Sequence, residues 1–443
     1  MASAAEQLAA NLNFSALAKA DELKKRIWFT LGALLVYRLG TYIPLPGIDP
    51  SVWSQVFRQQ AGGILGMFNM FAGGGIDRMA IFALNIMPYI SASIILQLLT
   101  SVSPKLEALK KEGEAGRKVI NQYTRYLTVV LAALQAYGIA VGLQGAGNVV
   151  SHPGMFFLLS TTITLTGGTM FLMWLGEQIT ARGIGNGISL IIMAGIVAEL
   201  PAAIVNTLEL GRQGALSTGL ILLVLVMAVA VIAIIVFVER AQRRLLIQYP
   251  KRQVGNKMFE GQTSHLPLKL NTAGVIPPIF ASSLLLLPGT VANFNAGAGP
   301  EWLQAITTQL SHGRPLYLVL YLAMILFFAF FYTAIVFNPT ETADNLKKHG
   351  GFIPGIRPGE RTAEYIDYVL SRITAVGALY LALICLIPEI LISYASVPFY
   401  FGGTSLLIVV SVTMDTVAQV QGYLLAHQYE GLIRKSKARG RRR

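Results

Sequence analysis

Polar side chains inside long apolar runs are the first candidates for chemistry, because each is costly in hydrocarbon. Here they are few: Asn85, Gln97, Glu177, Asp415 and Gln419, with Gln122 and Asn271 near the ends of apolar runs. Asp415, in VSVTMDTVAQ, is the one carboxylate expected deep in such a run, and Glu177, in WLGEQITARGIGNG, is expected to reach an aqueous edge. A proton or ion relay needs a series of such groups, and acid/base catalysis by paired carboxylates needs two. One isolated acid supplies neither. His152, His265, His312, His349 and His427 stand singly without ligand spacing, and Cys385 is the only cysteine. No metal site, disulfide or cofactor is therefore expected. No GxxxxGKS/T phosphate loop occurs, so nucleotide-driven work must come from a partner.

The elements that carry these residues follow from composition. Of the 443 residues 54% are hydrophobic and 13% charged, and the mean hydropathy is +0.57. Soluble domains carry roughly 25% charged residues, so the chain reads as an all-α polytopic membrane protein. A cytoplasmic segment, 1–26, ends in KADELKKR and shows no cleavable signal. Spans are expected at 27–43, 78–100, 122–143, 154–178, 187–206, 216–238, 273–292, 315–337, 369–388 and 399–423, followed by a basic tail, 424–443. With both termini inside, only Arg38, Arg58, Arg78, Arg212 and Arg314 of the 35 basic residues face outward, as the positive-inside rule requires. The net charge of +13 is then a one-sided cytoplasmic surface, suited to anionic lipid, RNA or an acidic protein.

Two cytoplasmic loops exceed what connection requires. Residues 239–271 alternate basic residues with Leu246, Ile247, Tyr249 and Phe259, the pattern of a projecting hairpin. Residues 338–367 carry Gly350, Gly351, Pro354, Gly355, Pro358 and Gly359, a tight turn around Arg357. Either is a solvated loop or a docking surface for a cytoplasmic partner, and loops this long favour the second. On the other side GGILGMFNMFAGGG, 62–75, holds a two-turn apolar segment between glycines. It is too short to span and reads as a movable stopper. Ten spans divide into two inverted fives, 27–206 and the rest, with a working site expected at their interface. Ile86 and Ile90 share a helix face in the first half, as do Ile188 and Ile192. Spacing alone leaves them as plain core or as pore lining.

Longer motifs carry a resemblance. FNMFAGG, IFALNIMPYISASIILQLL, QYTRY, MFLMWLGEQITARGIGNGIS, FVERAQRR, HLPLKLNTAGVIPPIFASS, VFNPTETADNLKK, FIPGIRPGERTAEYI and PFYFGGTSLLIVV run nearly end to end. Together they closely resemble the SecY family, channel subunits of the bacterial protein translocase. The resemblance implies two inverted five-helix halves clasped around an hourglass pore. It implies a pore ring at Ile86, Ile90, Ile188, Ile192, Ile279 and Ile408, and a plug over 64–74 with Ile64, Leu65, Met67, Phe68, Asn69, Met70 and Phe71. A lateral gate would open between the second and third spans and the seventh and eighth, with Gln97, Thr124 and Asn271 as its polar positions and Ser91 facing Leu287.

Docking of the ribosome and of the ATPase SecA is implied for the two loops and tail, with Arg357 at the family's key arginine. The family's adjacent basic pair after the first loop's glycine is Asn256-Lys257 here, which leaves Arg243, Arg244, Arg252 and Lys257 as candidates. Further implied partners are SecE and SecG in a heterotrimer, signal sequences, nascent polypeptides, accessory translocase subunits and an insertase. The implied location is the bacterial inner membrane. A ring of branched apolar side chains excludes water and ions without favouring one polypeptide sequence. Against this stands a secondary transporter for a small solute, which needs converging polar groups at the midplane that the chain barely supplies. An intramembrane enzyme would need a His/Asp/Glu constellation, and none is present.

Overall fold

A computed structural model describes residues 21–60, 69, 72–145, 149–214, 217–250, 252–254, 257–259, 263–293, 309, 314–395 and 403–440. The helices are α1 (Asp21–Gly40), α2 (Pro50–Gln60), α3 (Met87–Val102), α4 (Pro104–Lys111), α5 (Glu114–Gly145), α6 (Met155–Arg182), α7 (Gly187–Arg212) and α8 (Thr218–Arg240). Four strands follow: β1 (Gln242–Gln248), β2 (Arg252–Val254), β3 (Lys257–Phe259) and β4 (Thr263–Lys269). Then come α9 (Ile276–Asn293), α10 (Pro315–Val336), α11 (Pro339–Lys348), α12 (Glu360–Ala395) and α13 (Gly403–Gly440). Among the described residues seven helical stretches are long and apolar enough to cross a membrane: α5 to α8, Pro315–Lys348, Glu360–Pro388 and Gly403–Leu425. The expected spans 27–43, 78–100 and 273–292 coincide with helices outside that set.

The chain divides into two compact units, one of 1–205, 286–308 and 408–443, the other of 206–285 and 309–407. In the first unit the expected span 78–100 is helical only from Met87. Residues 72–86 run as buried turns. Met79 and Asn85 take positive φ of 45° and 48°, and Pro88 is placed where its missing amide costs a helix nothing. Non-helical backbone in a membrane protein survives only inside protein, and several groups of these turns are paired. The Leu45 amide donates to Met79 O at 2.9 Å and the Ile81 amide to Ile43 O at 3.0 Å. Trp53 Nε1 donates to Ile76 O at 2.6 Å. An apolar core of Leu45, Trp53, Phe57, Ile76, Met79 and Leu84 surrounds these turns and extends to Ala136 and Leu143 of α5. Asp49 introduces α2, and the hydroxyl and amide of Ser51, donating to its Oδ1, hold its carboxyl below the usual carboxylate range.

The loop 183–186, between α6 and α7, is pinned from two sides. The Ile184 amide donates to Thr30 Oγ1 of α1 at 3.1 Å, and the Gly185 amide to Gln419 Oε1 of α13 at 2.9 Å. Leu23, Ile184 and Leu424 close a small apolar cluster beside it. Gln419 is therefore a structural tie.

In the second unit α8 runs into an antiparallel hairpin, β1 against β4, in register from Gln242↔Lys269 to Gln248↔Thr263. A shorter pair, β2 against β3, lies between them in sequence. The second long loop joins the same structure: Gln248 and Phe352 exchange backbone hydrogen bonds at 2.9 and 3.0 Å. Gly351 lies so close that an added Cβ would stand 3.0 Å from the Tyr249 ring. Leu245, Leu268, Ile353, Ile366 and Ile373 form one core beneath both loops. Asn338 caps α11, accepting from the Thr340 and Glu341 amides ahead of a proline at the first helical position.

Candidate functional site

The Ile90 amide donates to Ile86 O at 3.1 Å, so the two side chains stand one turn apart at the start of α3. Ile86, Ile90, Ile192 and Ile408 are 1%, 6%, 5% and 1% exposed. Ile188 and Ile279 are half-buried. All but Ile279 belong to the first unit. There Thr413 Oγ1 of α13 lies 3.6 Å from Met193 Sδ of α7, beside Ile192.

Of the expected gate positions, Gln97, Thr124 and Asn271 are hydrogen-bonded within their own units. Ser91 and Thr124 are buried, and Thr124 Oγ1 donates to Ile120 O in its own helix at 3.0 Å. Gln97 Nε2 donates to Ser93 Oγ at 3.3 Å, while its Oε1 is buried without a donor among the described residues. Helix α3, which carries Ser91 and Gln97, packs against α5 and α6. Asn271 is 4% exposed, and its Nδ2 donates to Glu239 Oε1 at 2.7 Å and to Gly274 O at 3.1 Å. Leu287 lies in α9, with its side chain outside the described residues.

Of the stopper residues Ile64, Leu65, Met67, Phe68, Met70 and Phe71 lie outside the described residues, and Asn69 within them. Asn69 Oδ1 accepts from the Ile76 and Asp77 amides at 3.1 and 2.9 Å, and Asn69 O from the Gly74 amide at 3.0 Å. The glycines that follow are no free hinge. Gly73 has φ 63° and is so close to α7 that an added Cβ would meet Gly195 Cα at 2.9 Å. Its carbonyl accepts from Arg38 Nη1 at 2.6 Å. The guanidiniums of Arg38 and Arg78 lie over the Tyr42 ring, 4.8 and 4.1 Å from its centroid.

On the loops Arg243, Arg244 and Arg357 are exposed. Arg252 and Lys257 fall in β2 and β3, with side chains outside the described residues. Gly355 and Gly359, at φ 85° and 107°, shape the turn around Arg357. The Arg357 carbonyl accepts from Thr362 Oγ1 at 2.9 Å. Arg357 lines an open cleft of 520 Å³ with Arg361, Glu364, Tyr365 and Tyr368. Two cations and two aromatic rings can hold an acidic or aromatic-bearing segment.

Two expectations change. Asp415 is exposed on α13, although Ser411 and Val412, one helical turn before it on the same face, are buried. Glu177 does not simply end at water: Arg125 Nε and Nη2 grip its two oxygens at 2.9 and 2.8 Å. Sequence reading missed the contacts of Arg125, Arg38 and Glu239. Opposite charges at neighbouring helix ends, in QYTRY and WLGEQ, were the available signal for the first. Among the described residues no group of three or more His, Cys, Asp or Glu comes together.

The SecY family model matches residues 80–417. The chain is 57% identical over 423 residues to the protein translocase subunit SecY of Escherichia coli (strain K12), covering 95% of this chain and 96% of that one. It is 58% identical over 431 residues to the same subunit of Vibrio cholerae, covering 96% and 97%. A solved structure of a protein conducting channel aligns at TM-score 0.63 with 19% identity, over 90% of this chain and 92% of that one. Sec61 in a canine ribosome–channel complex aligns at 0.61 with 17% identity, over 90% and 92%. With the family model spanning most of the sequence and bacterial relatives more than half identical nearly end to end, the chain belongs to the SecY family.

Proposed function

We propose that this protein-conducting channel subunit closes its pore with the isoleucine ring and the stopper, and releases apolar segments sideways through a lateral gate. Its ten spans form two inverted five-helix halves around an hourglass pore. The half boundaries are those of the expected spans, with 207–238, 273–337 and 369–423 completing the second half. The observation that carries this reading is the burial of Ile86, Ile90, Ile192 and Ile408 in a chain whose other membrane-facing aliphatics, such as Leu222, Leu225 and Val229, are exposed. Four aliphatic groups kept from solvent suit a dewetted barrier to ions.

The partners are those of a bacterial translocase: SecE and SecG beside the channel, and SecA or the ribosome on the basic loops. Arg243, Arg244, Arg252, Lys257 and Arg357 make the contact. Signal sequences and nascent chains are the substrates, and anionic lipid, accessory subunits and an insertase lie alongside. A relative in fold is seen with a ribosome, and bacterial relatives are translocase subunits. The one-sided basic charge supports a bacterial inner membrane location with both termini cytoplasmic.

Reconstitution tests the function. Proteoliposomes holding the chain with SecE and SecA should import a signal-bearing preprotein only when ATP is present. Import of a small solute by the chain alone, with no preprotein transport, would overturn the channel reading in favour of a secondary transporter.

A further inference from the structure

The neck where the basic hairpin meets the membrane helices is closed by two side chains. Glu239 stands in the last turn of α8. Two residues later the Leu270 amide donates to Ala241 O at 2.9 Å, and the hairpin register begins at Gln242↔Lys269. The chain returns at Asn271, whose Nδ2 donates to Glu239 Oε1 at 2.7 Å and to Gly274 O at 3.1 Å. Both neighbours are acceptors, so the amide can present only its nitrogen to them. Gly274, at φ 65°, turns the chain into α9. Across the neck lies Gly377 of α12, where an added Cβ would stand 2.6 Å from Leu270 O and 3.6 Å from Asn271 Cα. Backbone packed this closely has no slack, so a displaced hairpin base must carry the start of α9 with it. Of the polar gate positions, Gln97 and Thr124 bond within their own helices; Asn271 alone is tied to the hairpin.

We propose that Glu239 is a positioning residue for the gate. Its charge-assisted hydrogen bond to Asn271 fixes the first turn of α9 and so sets how apolar a signal sequence must be to open the gate. This rests on the gate reading above and adds to it the residue that holds the threshold. A partner that pulls on the hairpin acts on the same bond, two residues from Ala241. The bond joins a carboxylate to an amide, the stronger class of protein hydrogen bond. Its two ends lie 32 residues apart in sequence, which is why neither FVERAQRR nor HLPLKLNTAG displays it.

The test compares two preproteins in proteoliposomes, one with an intact signal and one whose apolar core is interrupted by a charged residue. Glu239→Ala should pass the interrupted preprotein about tenfold faster than the wild-type chain, the scale of one lost hydrogen bond to a charged group, with the intact preprotein much less affected. Glu239→Gln keeps an acceptor oxygen and should discriminate nearly as the wild type does. Asn271→Asp sets two carboxylates face to face and should behave as Glu239→Ala. Combining it with Glu239→Gln restores a donor and an acceptor in reversed sense, and should restore discrimination. Partner affinity for the hairpin, measured on the same variants, should stay at the wild-type level. The inference is overturned if Glu239→Ala and Asn271→Asp discriminate as the wild type does, or if they lose both preproteins in equal proportion. It is also overturned if partner binding falls in step with transport. A wild-type chain that passes both preproteins alike removes the gate reading itself, and this inference with it.

Discussion

Asn69 is the only polar side chain in the sequence of the proposed stopper, 64–74, and its carboxamide oxygen takes two consecutive amide donors, those of Ile76 and Asp77. Replacing it by alanine leaves both donors to find other partners, a cost of about 1–3 kcal/mol. Asn69→Ala should therefore lower the thermal midpoint of the purified chain and speed protease cleavage between 69 and 86; an unchanged midpoint and cleavage pattern would mean the turn holds itself. The sequence shows an asparagine before three glycines, which is legible as a turn. What it does not show is which property of glycine is in use. Freedom and close approach are written with the same letter, and only the presence of Gly195 opposite Gly73, 122 positions away in number, tells a tight joint from a hinge. Arg38 was legible as an outward-facing charge, and its hold on the Gly73 carbonyl was not.

At the scale of elements, each expected span from the third onward overlaps a helix. Helices α6, α8, α9 and α10 match their apolar runs to within a few residues, because hydrocarbon thickness and helical rise together dictate that length, whereas α5, α12 and α13 run on well past the apolar stretch. The exception is the stretch before α3. Its composition is as apolar as a helix, yet Asn85 at positive φ and Pro88 just beyond it hold the chain in turns until Met87. Hydropathy cannot separate an apolar helix from apolar turns buried in protein, since both avoid water equally. One consequence is that Ile86 projects from a helix start whose position is fixed by the preceding core. Replacing Ile86, Ile192 and Ile408 together by glycine removes three branched side chains from the proposed ring. Conductance of planar bilayers holding the resting channel should rise several-fold; an unaltered conductance would remove these residues from the barrier.

For the molecule as a whole, a net charge of +13 that the proposed topology would gather on the cytoplasmic side would give direction to any work done by a partner. Arg357 is exposed, and its backbone, rather than its side chain, anchors the local turn through Thr362. Reversing its charge should leave stability within about 0.5 kcal/mol, as for surface changes away from special features, yet reduce SecA-driven preprotein import strongly. Normal import by Arg357→Glu would return the loop to an ordinary solvated connection. The sequence made both long loops visible as candidates for docking, but as two separate things. Their union lies in a backbone exchange between Gln248 and Phe352 and in a core shared by Leu245, Leu268 and Ile353, and no local pattern announces a pairing between residues 104 positions apart. That union makes the two loops one mechanical body: a force applied to the hairpin at Gln248 is passed through the backbone bonds to Phe352, so a partner that grips either loop loads both.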